Sequence, residues 1–370
     1  MVIMQGKITV PTLILDRSKC IDNIERMAEK AKRNNVIFRP HFKTHQSSGI
    51  GRWFRQAGVE KITVSSLRMA EYFANDHWLD ITVAFPVNLL EIDLINRLAA
   101  YIQLNLLVEG VESLQFLERH LRQRVQLFVK VDVGTHRTGV DIDDHVRLER
   151  IVERIANSRN AGFAGFLAHA GHTYRERNET GVRAIQDNYL PKLRALGDKF
   201  FGPFPDALIS IGDTPSCSLL DTFPGAGEIR PGNFVFYDVM QANIGSCGVN
   251  DIAVVLACPV VAVHPERQEI VVYGGGVHFS KDRSLRPDGT EDYGWMVEWT
   301  AQGWQLPEGD RPFLRALSQE HGIVKAGKPW IDTVKPGDIL GFLPIHSCMT
   351  ADVMKSFRTL DGEHIEMMRF

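Results

Sequence analysis

Eight short apolar runs, at residues 36–43, 61–65, 80–85, 101–108, 125–133, 163–170, 207–212 and 226–235, are spaced so that a segment of helical period fits between most of them. Ile21, Ile24, Met27, Ala28 and Ala31 share one stripe of such a segment, and Leu114, Leu117 and Leu121 another. A helix with a single apolar stripe must bury it against a neighbouring layer. Strands alternating with helices therefore predict an α/β fold built on a parallel sheet. Eight strands suffice to close a (β/α)8 TIM-like barrel, which carries its reactive groups on the loops after the strands' C-terminal ends. An open, doubly wound sheet satisfies the same periodicity.

From about residue 250 the texture changes. Ile252, Ala253, Val254, Val255, Leu256, Ala257 and Cys258 form one apolar run, and Glu269, Ile270, Val271, Val272 and Tyr273 another, with Gly, Pro and Asp turns between them and little helical period. The pattern predicts a separate β domain. With 370 residues and 44% hydrophobic composition, the chain is long enough for one large domain and a smaller one. Its formal charge of −3 and scattered Lys and Arg give no basic block, which argues against nucleic acid as a partner. No apolar run approaches a membrane span, and residues 1–10 are too short and too polar for a secretory signal, so the expected location is cytoplasmic. Five cysteines, an odd number without a CxxC pair, predict reduced thiols rather than a disulfide framework.

Three segments carry chemistry. Arg39-Pro40-His41-Phe42-Lys43-Thr44 places a lysine at a strand's C-terminal end. A lysine amine bonds to an aldehyde cofactor only if part of it is unprotonated, which burial and nearby positive charge promote, and Arg39, His41 and His45 offer that charge. Ser210-Ile211-Gly212-Asp213-Thr214-Pro215 and Arg230-Pro231-Gly232-Asn233 are glycine-containing turns after strands, the kind of backbone that cradles a phosphate dianion. A carboxylate beside a phosphate is unfavourable unless paired or turned away, so Gly212 and Thr214 are better phosphate ligands than Asp213. Finally, His346 and Cys348 combine an imidazole with a thiol, a donor pair that suits zinc and leaves coordination positions open. Taken singly, each segment has an ordinary reading: a solvated lysine, a plain turn, a strand edge with a buried cysteine.

Together and in this order, the segments resemble the alanine-racemase-like (fold type III) pyridoxal phosphate enzymes, in the branch of D-serine dehydratase, D-threo-3-hydroxyaspartate dehydratase and D-threonine aldolase. The resemblance implies a barrel over residues 10–245 and a C-terminal antiparallel β domain over 246–370, with an N-terminal strand within 1–13 joining the latter. It implies that Lys43 anchors pyridoxal 5'-phosphate and that Arg137, in Asp132-Val133-Gly134-Thr135-His136-Arg137-Thr138-Gly139, lies near the ring oxygen. A loop arginine paired with Asp132 or Asp141 is the alternative for Arg137. By the same resemblance, His169 lines the ring or else packs as a core histidine, and Tyr174 orders the lysine or the substrate. Gly212, Asp213, Thr214, Gly232, Asn233 and Tyr237 complete the cofactor site. His346 and Cys348 would hold a divalent metal, zinc by donor type with manganese or magnesium as alternatives, and Glu320 or His321 would support the metal or the substrate.

The implied activity is dehydration and deamination of a D-β-hydroxy amino acid, D-serine or D-threo-3-hydroxyaspartate, to a 2-oxo acid and ammonia. The dehydratases of this branch carry His-x-Cys where the aldolases carry His-x-Asp, which favours elimination over retro-aldol cleavage; an amino acid racemase is the further alternative. Lys281 and Arg283 are either ligands for a second substrate carboxylate or a solvated loop. A cofactor-binding module without chemistry would lack the β domain after residue 250. The resemblance also implies a homodimer that shares its active sites.

Overall fold

The computed structural model describes residues 8–309 and 311–369. Residues 1–7 of the expected N-terminal strand lie outside the described residues. The chain divides into two compact units. One comprises Glu25–Lys43 and Gly51–Gly232, the other Met1–Ile24, Thr44–Ile50 and Asn233–Phe370.

The first unit is a closed ring of eight parallel strands: Ile37–Phe38, Lys61–Val64, Asp80–Pro86, Gln103–Val108, Val125–Asp132, Ala161–Ala168, Leu208–Ile211 and Glu228–Ile229, here the first to the eighth. The first pairs with the eighth, and a bridge between His41 and Thr63 closes the ring onto the second. Periodicity left barrel and open sheet unresolved; this bridge decides for the barrel. Both closing strands are shorter than their apolar runs. Pro40 and Pro231 have no N–H to give to a ladder, and the chain there divides its bonds between two neighbours. Arg39 N and His41 N donate to Ile229 O and Pro231 O, while Thr63 N donates to Pro40 O.

Helices follow the strands as the apolar stripes require. Leu114 and Leu117 of helix Val111–His120 are buried, as are Leu148, Ile151, Val152 and Ile155 of helix His145–Ala156. Leu107, Phe128 and Leu167 meet from the fourth, fifth and sixth strands. A buried charge network crosses the ring as well. Arg39 Nε donates to Glu228 Oε2 at 2.5 Å and its Nη1 to Asp80 Oδ1 at 2.6 Å, and Asp80 also accepts from Asn105. Glu228 accepts from Ser210 Oγ, which itself accepts from Arg230 Nε at 2.5 Å. Removing one member would strand a buried charge, at a cost of roughly 3–5 kcal/mol.

The second unit is a β structure. Its main sheet runs Glu269–Tyr273, His321–Lys325, Phe313–Leu317, Gly294–Thr300, Ile339–Pro344, Val254–His264, and the last of these also pairs with the first. These pairings are antiparallel. Thr12–Leu15 extends the sheet, antiparallel to Val254–His264 with Thr12 opposite Ala257, and parallel to Ser356–Thr359. Among the described residues no helix is long and apolar enough to cross a membrane.

Gly165 sits where the register between the fifth and sixth strands shifts, at φ +123°. A Cβ there would fall on the Leu208 carbonyl. Gly58 also has a positive φ, +80°, but open space around it. Gly58→Ala is expected to cost about 1–2 kcal/mol of left-handed strain alone, and Gly165→Ala clearly more because the seventh strand must move. Urea unfolding midpoints of the two variants check this; equal losses would contradict the bulge reading.

Candidate active site

Lys43 leaves the barrel just after the closing bridge. Phe42 before it is fully buried, its ring 4.9 Å from those of Phe54 and Phe73 and 5.1 Å from Trp78. Such aromatic contacts stabilise by about 0.5–1.5 kcal/mol each beyond area burial. They fix the turn and leave the Lys43 side chain exposed. The positive neighbourhood expected from Arg39 is absent, because its guanidinium is spent on Glu228 and Asp80. Burial holds the His45 imidazole down at about 3, so it is neutral.

The loops after the fifth, sixth and seventh strands are tied together. His169 Nδ1 meets Gly212 O at 2.7 Å, and Thr135 Oγ1 donates to His169 O at 2.8 Å. With a carbonyl as partner, Nδ1 must carry the proton, which leaves Nε2 as an acceptor. Removal from water, helped by the charges of Lys43, Arg230 and Arg137, pushes His169 well below its ordinary range despite the Gly212 bond. Thr214 N donates to the Tyr174 hydroxyl at 3.2 Å, which puts Tyr174 on the Gly212 turn. Gly212 itself has φ +154°, and a Cβ there would lie 2.5 Å from Arg230 N. Asp213 turns its carboxylate into the structure: Oδ1 accepts from Ser216 N and from Thr173 Oγ1, both at 2.8 Å. It caps helix Thr214–Leu219.

Arg137 is exposed on the loop after the fifth strand. Asp132 Oδ1 accepts from the backbone N–H groups of Gly134, Thr135 and His136. Gly232 follows the eighth strand. Tyr237 is buried, at φ +49°.

In the second unit His346 lies two residues past strand Ile339–Pro344, at the N-cap position of helix Ser347–Met354, with Cys348 in the first turn. His346 Nδ1 lies 3.4 Å from Asp282 Oδ2. Burial opposes charge on His346, yet hydrogen bonds to Asp282 and Cys348, with the charges of Cys348 and Asp238, raise it to about 11. Cys348 Sγ has Thr44 Oγ1 at 3.3 Å and Asn233 Nδ2 at 3.4 Å. Asn233 thus stands in this cluster, where its amide also meets Asp238 and Ser347. Glu320 Oε2 lies 3.8 Å from His278 Nε2, and His321 Nδ1 3.2 Å from Ser318 Oγ. Arg283 is paired with Glu291 at 2.8 Å, and Lys281 is exposed. Among the described residues no group of three or more His, Cys, Asp and Glu side chains gathers to hold a metal.

The family model "Alanine racemase, N-terminal domain" matches residues 15–238, and "Putative serine dehydratase domain" matches 253–360. The chain belongs to the alanine-racemase-like, fold type III pyridoxal phosphate enzymes. It is 28% identical to D-threo-3-hydroxyaspartate dehydratase of Delftia sp. (strain HT23), over 95% of this chain and 94% of that one. It is equally 28% identical to D-serine dehydratase of Dictyostelium discoideum, over 95% and 93%. A solved cysteine-to-alanine mutant of a D-threo-3-hydroxyaspartate dehydratase, in its metal-free form, matches with a TM-score of 0.90 at 25% identity, covering 99% of both chains.

Membership in the fold type III enzymes brings pyridoxal phosphate as cofactor, and the residues present fit it. Gly212 keeps a side chain out of its turn, Thr214 Oγ1 is buried without a hydrogen-bond partner, and Lys43 presents an accessible amine. Sequence reasoning missed two buried cations of this face. Arg230, lowered to about 10 by burial against the pull of Glu228, was quoted only as part of a turn. Lys130, lowered to about 8 by burial and by Arg230, interrupts an otherwise apolar strand, and that interruption is the signal that could have found it. Asp282 was likewise passed over between Lys281 and Arg283.

Burial raises the Asp213 carboxyl from 3.8 to about 6, against the bonds from Ser216 and Thr173 and the Arg230 charge. The folded chain therefore holds this proton more tightly than the unfolded one. The contribution is fully present below the ordinary value and is lost as pH rises through about 6, roughly 3 kcal/mol in all. Stability relative to Asp213→Asn is expected to fall between pH 4 and pH 7, read from denaturant midpoints. Parallel pH curves would contradict it.

Proposed function

We propose that this chain is a pyridoxal phosphate- and divalent metal-dependent lyase that dehydrates D-β-hydroxy amino acids, D-serine or D-threo-3-hydroxyaspartate, to a 2-oxo acid and ammonia. One observation carries the reading. Lys43 and the Gly212 turn occur in the same chain as the His346–Cys348 pair, and the chain aligns over 95% of its length with relatives named as these dehydratases.

When bound, pyridoxal phosphate stores the electron pair left as a bond to the substrate Cα breaks. A bound divalent metal polarises the β-hydroxyl so that it leaves as hydroxide or water. The chain's own residues do the rest. Lys43 would hold the cofactor covalently, and its amine would serve as the base that takes the proton from the substrate Cα. Gly212 and Thr214 would hold the phosphate, with Tyr174 fixed beside them by its bond from Thr214 N. His169 stays neutral and pinned at Nδ1, so it lines the ring without adding charge. His346 and Cys348 would hold the metal, a donor pair that would leave it free to act on the substrate hydroxyl. Loss of water across Cα and Cβ gives an unsaturated amine, which tautomerises and hydrolyses to the 2-oxo acid and ammonium. Assembly as a cytoplasmic homodimer sharing its active sites belongs to the same reading.

Product analysis tests it, with pyridoxal phosphate and zinc or manganese and with D-serine, D-threo-3-hydroxyaspartate and D-threonine each paired with its L enantiomer. Ammonia with pyruvate or oxaloacetate is expected from the D substrates. Lys43→Ala should lower the rate at least about a thousand-fold, and chelation or Cys348→Ala should abolish most of it. Glycine plus an aldehyde would make the chain an aldolase; racemised substrate without metal dependence would make it a racemase.

A further inference from the structure

Resting on the metal site just proposed, we propose that Asp282 and Asn233 are its positioning residues: Asp282 fixes His346 through Nδ1 so that Nε2 is the coordinating nitrogen, and Asn233 donates to the Cys348 sulfur. Both ligands are then oriented before an ion arrives.

Each positioning side chain is itself held. Ser280 Oγ donates to Asp282 Oδ2 at 3.0 Å and accepts from Asp282 N at 3.2 Å. Ser280 is buried and left-handed at φ +69°. Its neighbour Phe279 accepts, through its carbonyl, from Thr350 Oγ1 at 2.9 Å, and Thr350 lies on the helix that carries Cys348. The Asp282 carboxylate is thus tied to the element whose cap is His346. A carboxylate on one ring nitrogen fixes the tautomer and presents the other nitrogen to a metal.

The Asn233 amide has a fixed orientation for a simple reason. Its Nδ2 lies 2.6 Å from Asp238 Oδ2, a fully buried carboxylate that also accepts from Gln241 N and Ser347 N. A carboxylate faces an amide NH2 and not its oxygen, so the atom 3.4 Å from Cys348 Sγ is a donor as well. The Asn233 N–H is thereby aimed at the ligating atom and holds the Cys348 side chain in place. The arrangement leaves Asn233 Oδ1 buried without a partner. An orphaned acceptor is costly, which a purely structural amide would avoid; one N–H serves Asp238 and the other is shared between Ser347 Oγ at 3.0 Å and the sulfur, and that orientation is what the cost maintains.

The test is zinc affinity of chelator-stripped protein, read by competition with a chromophoric chelator. Asp282→Ala and Asn233→Ala are each expected to bind zinc 10–100-fold more weakly. Asp282→Asn, which still accepts from Nδ1–H, should recover part of the loss. With cobalt(II) in place of zinc, the sulfur-to-cobalt charge-transfer band should shift in Asn233→Ala and persist in Asp282→Ala. A merely structural role would lower the melting temperature of the metal-free protein and leave zinc affinity alone. Asp282 is partly exposed, so its variants should fold even if Asn233→Ala does not. Unchanged zinc affinity in a folded variant overturns that residue's role. His346→Ala and Cys348→Ala separate the two readings: if they too bind zinc normally, the metal site itself is wrong.

Discussion

A single buried carboxylate, Glu228, organises the barrel. The two strands that close the ring are two residues long each, too short for backbone pairing alone to fix them. Glu228 on the eighth strand binds Arg39 just past the first, and through Ser210 it reaches Arg230. Arg39 lies four residues before Lys43, and the Arg230 backbone is the wall that forces glycine at position 212. One charge therefore holds both the strand that delivers the lysine and the turn that would receive the phosphate. Its worth lies less in stability, since buried ion pairs rarely beat apolar packing, than in fixing where these groups stand.

The β unit solves a different problem. The metal site proposed on His346 and Cys348 would have few bonds of its own, so its geometry would depend on what surrounds the ligands. His346 and Cys348 sit at a strand-to-helix junction, and Asp238, Ser347, Asn233 and Thr44 crowd the helix's first turn with hydrogen bonds. The surroundings are acidic around His346 and donating around Cys348, which is the polarity a cation bound between imidazole and thiolate requires.

Much of this was legible in the sequence. All eight barrel runs became strands, because an apolar run between helical stripes has few other ways to bury itself. Barrel closure was not legible, since it rests on a bridge at His41 and Thr63 and on side-chain charges that periodicity does not see. At the site, the worry about a carboxylate beside a phosphate at Asp213 has its physical answer in the Ser216 and Thr173 bonds. The activation of Lys43 read differently. Arg39 looked like a neighbouring positive charge, whereas folding paired it with Asp80 and Glu228 and left Arg230 and Lys130 as the buried cations. Sequence adjacency describes neighbours along the chain, and charge acts on neighbours in space.

The account stands on Lys43 as the cofactor lysine. Borohydride reduction of the purified holoenzyme, followed by proteolysis and mass spectrometry, locates the lysine that carries the cofactor. A phosphopyridoxyl group on Lys43, lost in Lys43→Ala, is the outcome the account requires. A label on Lys130, on another lysine, or on none would contradict it and move the chemistry away from the turn that Glu228 holds.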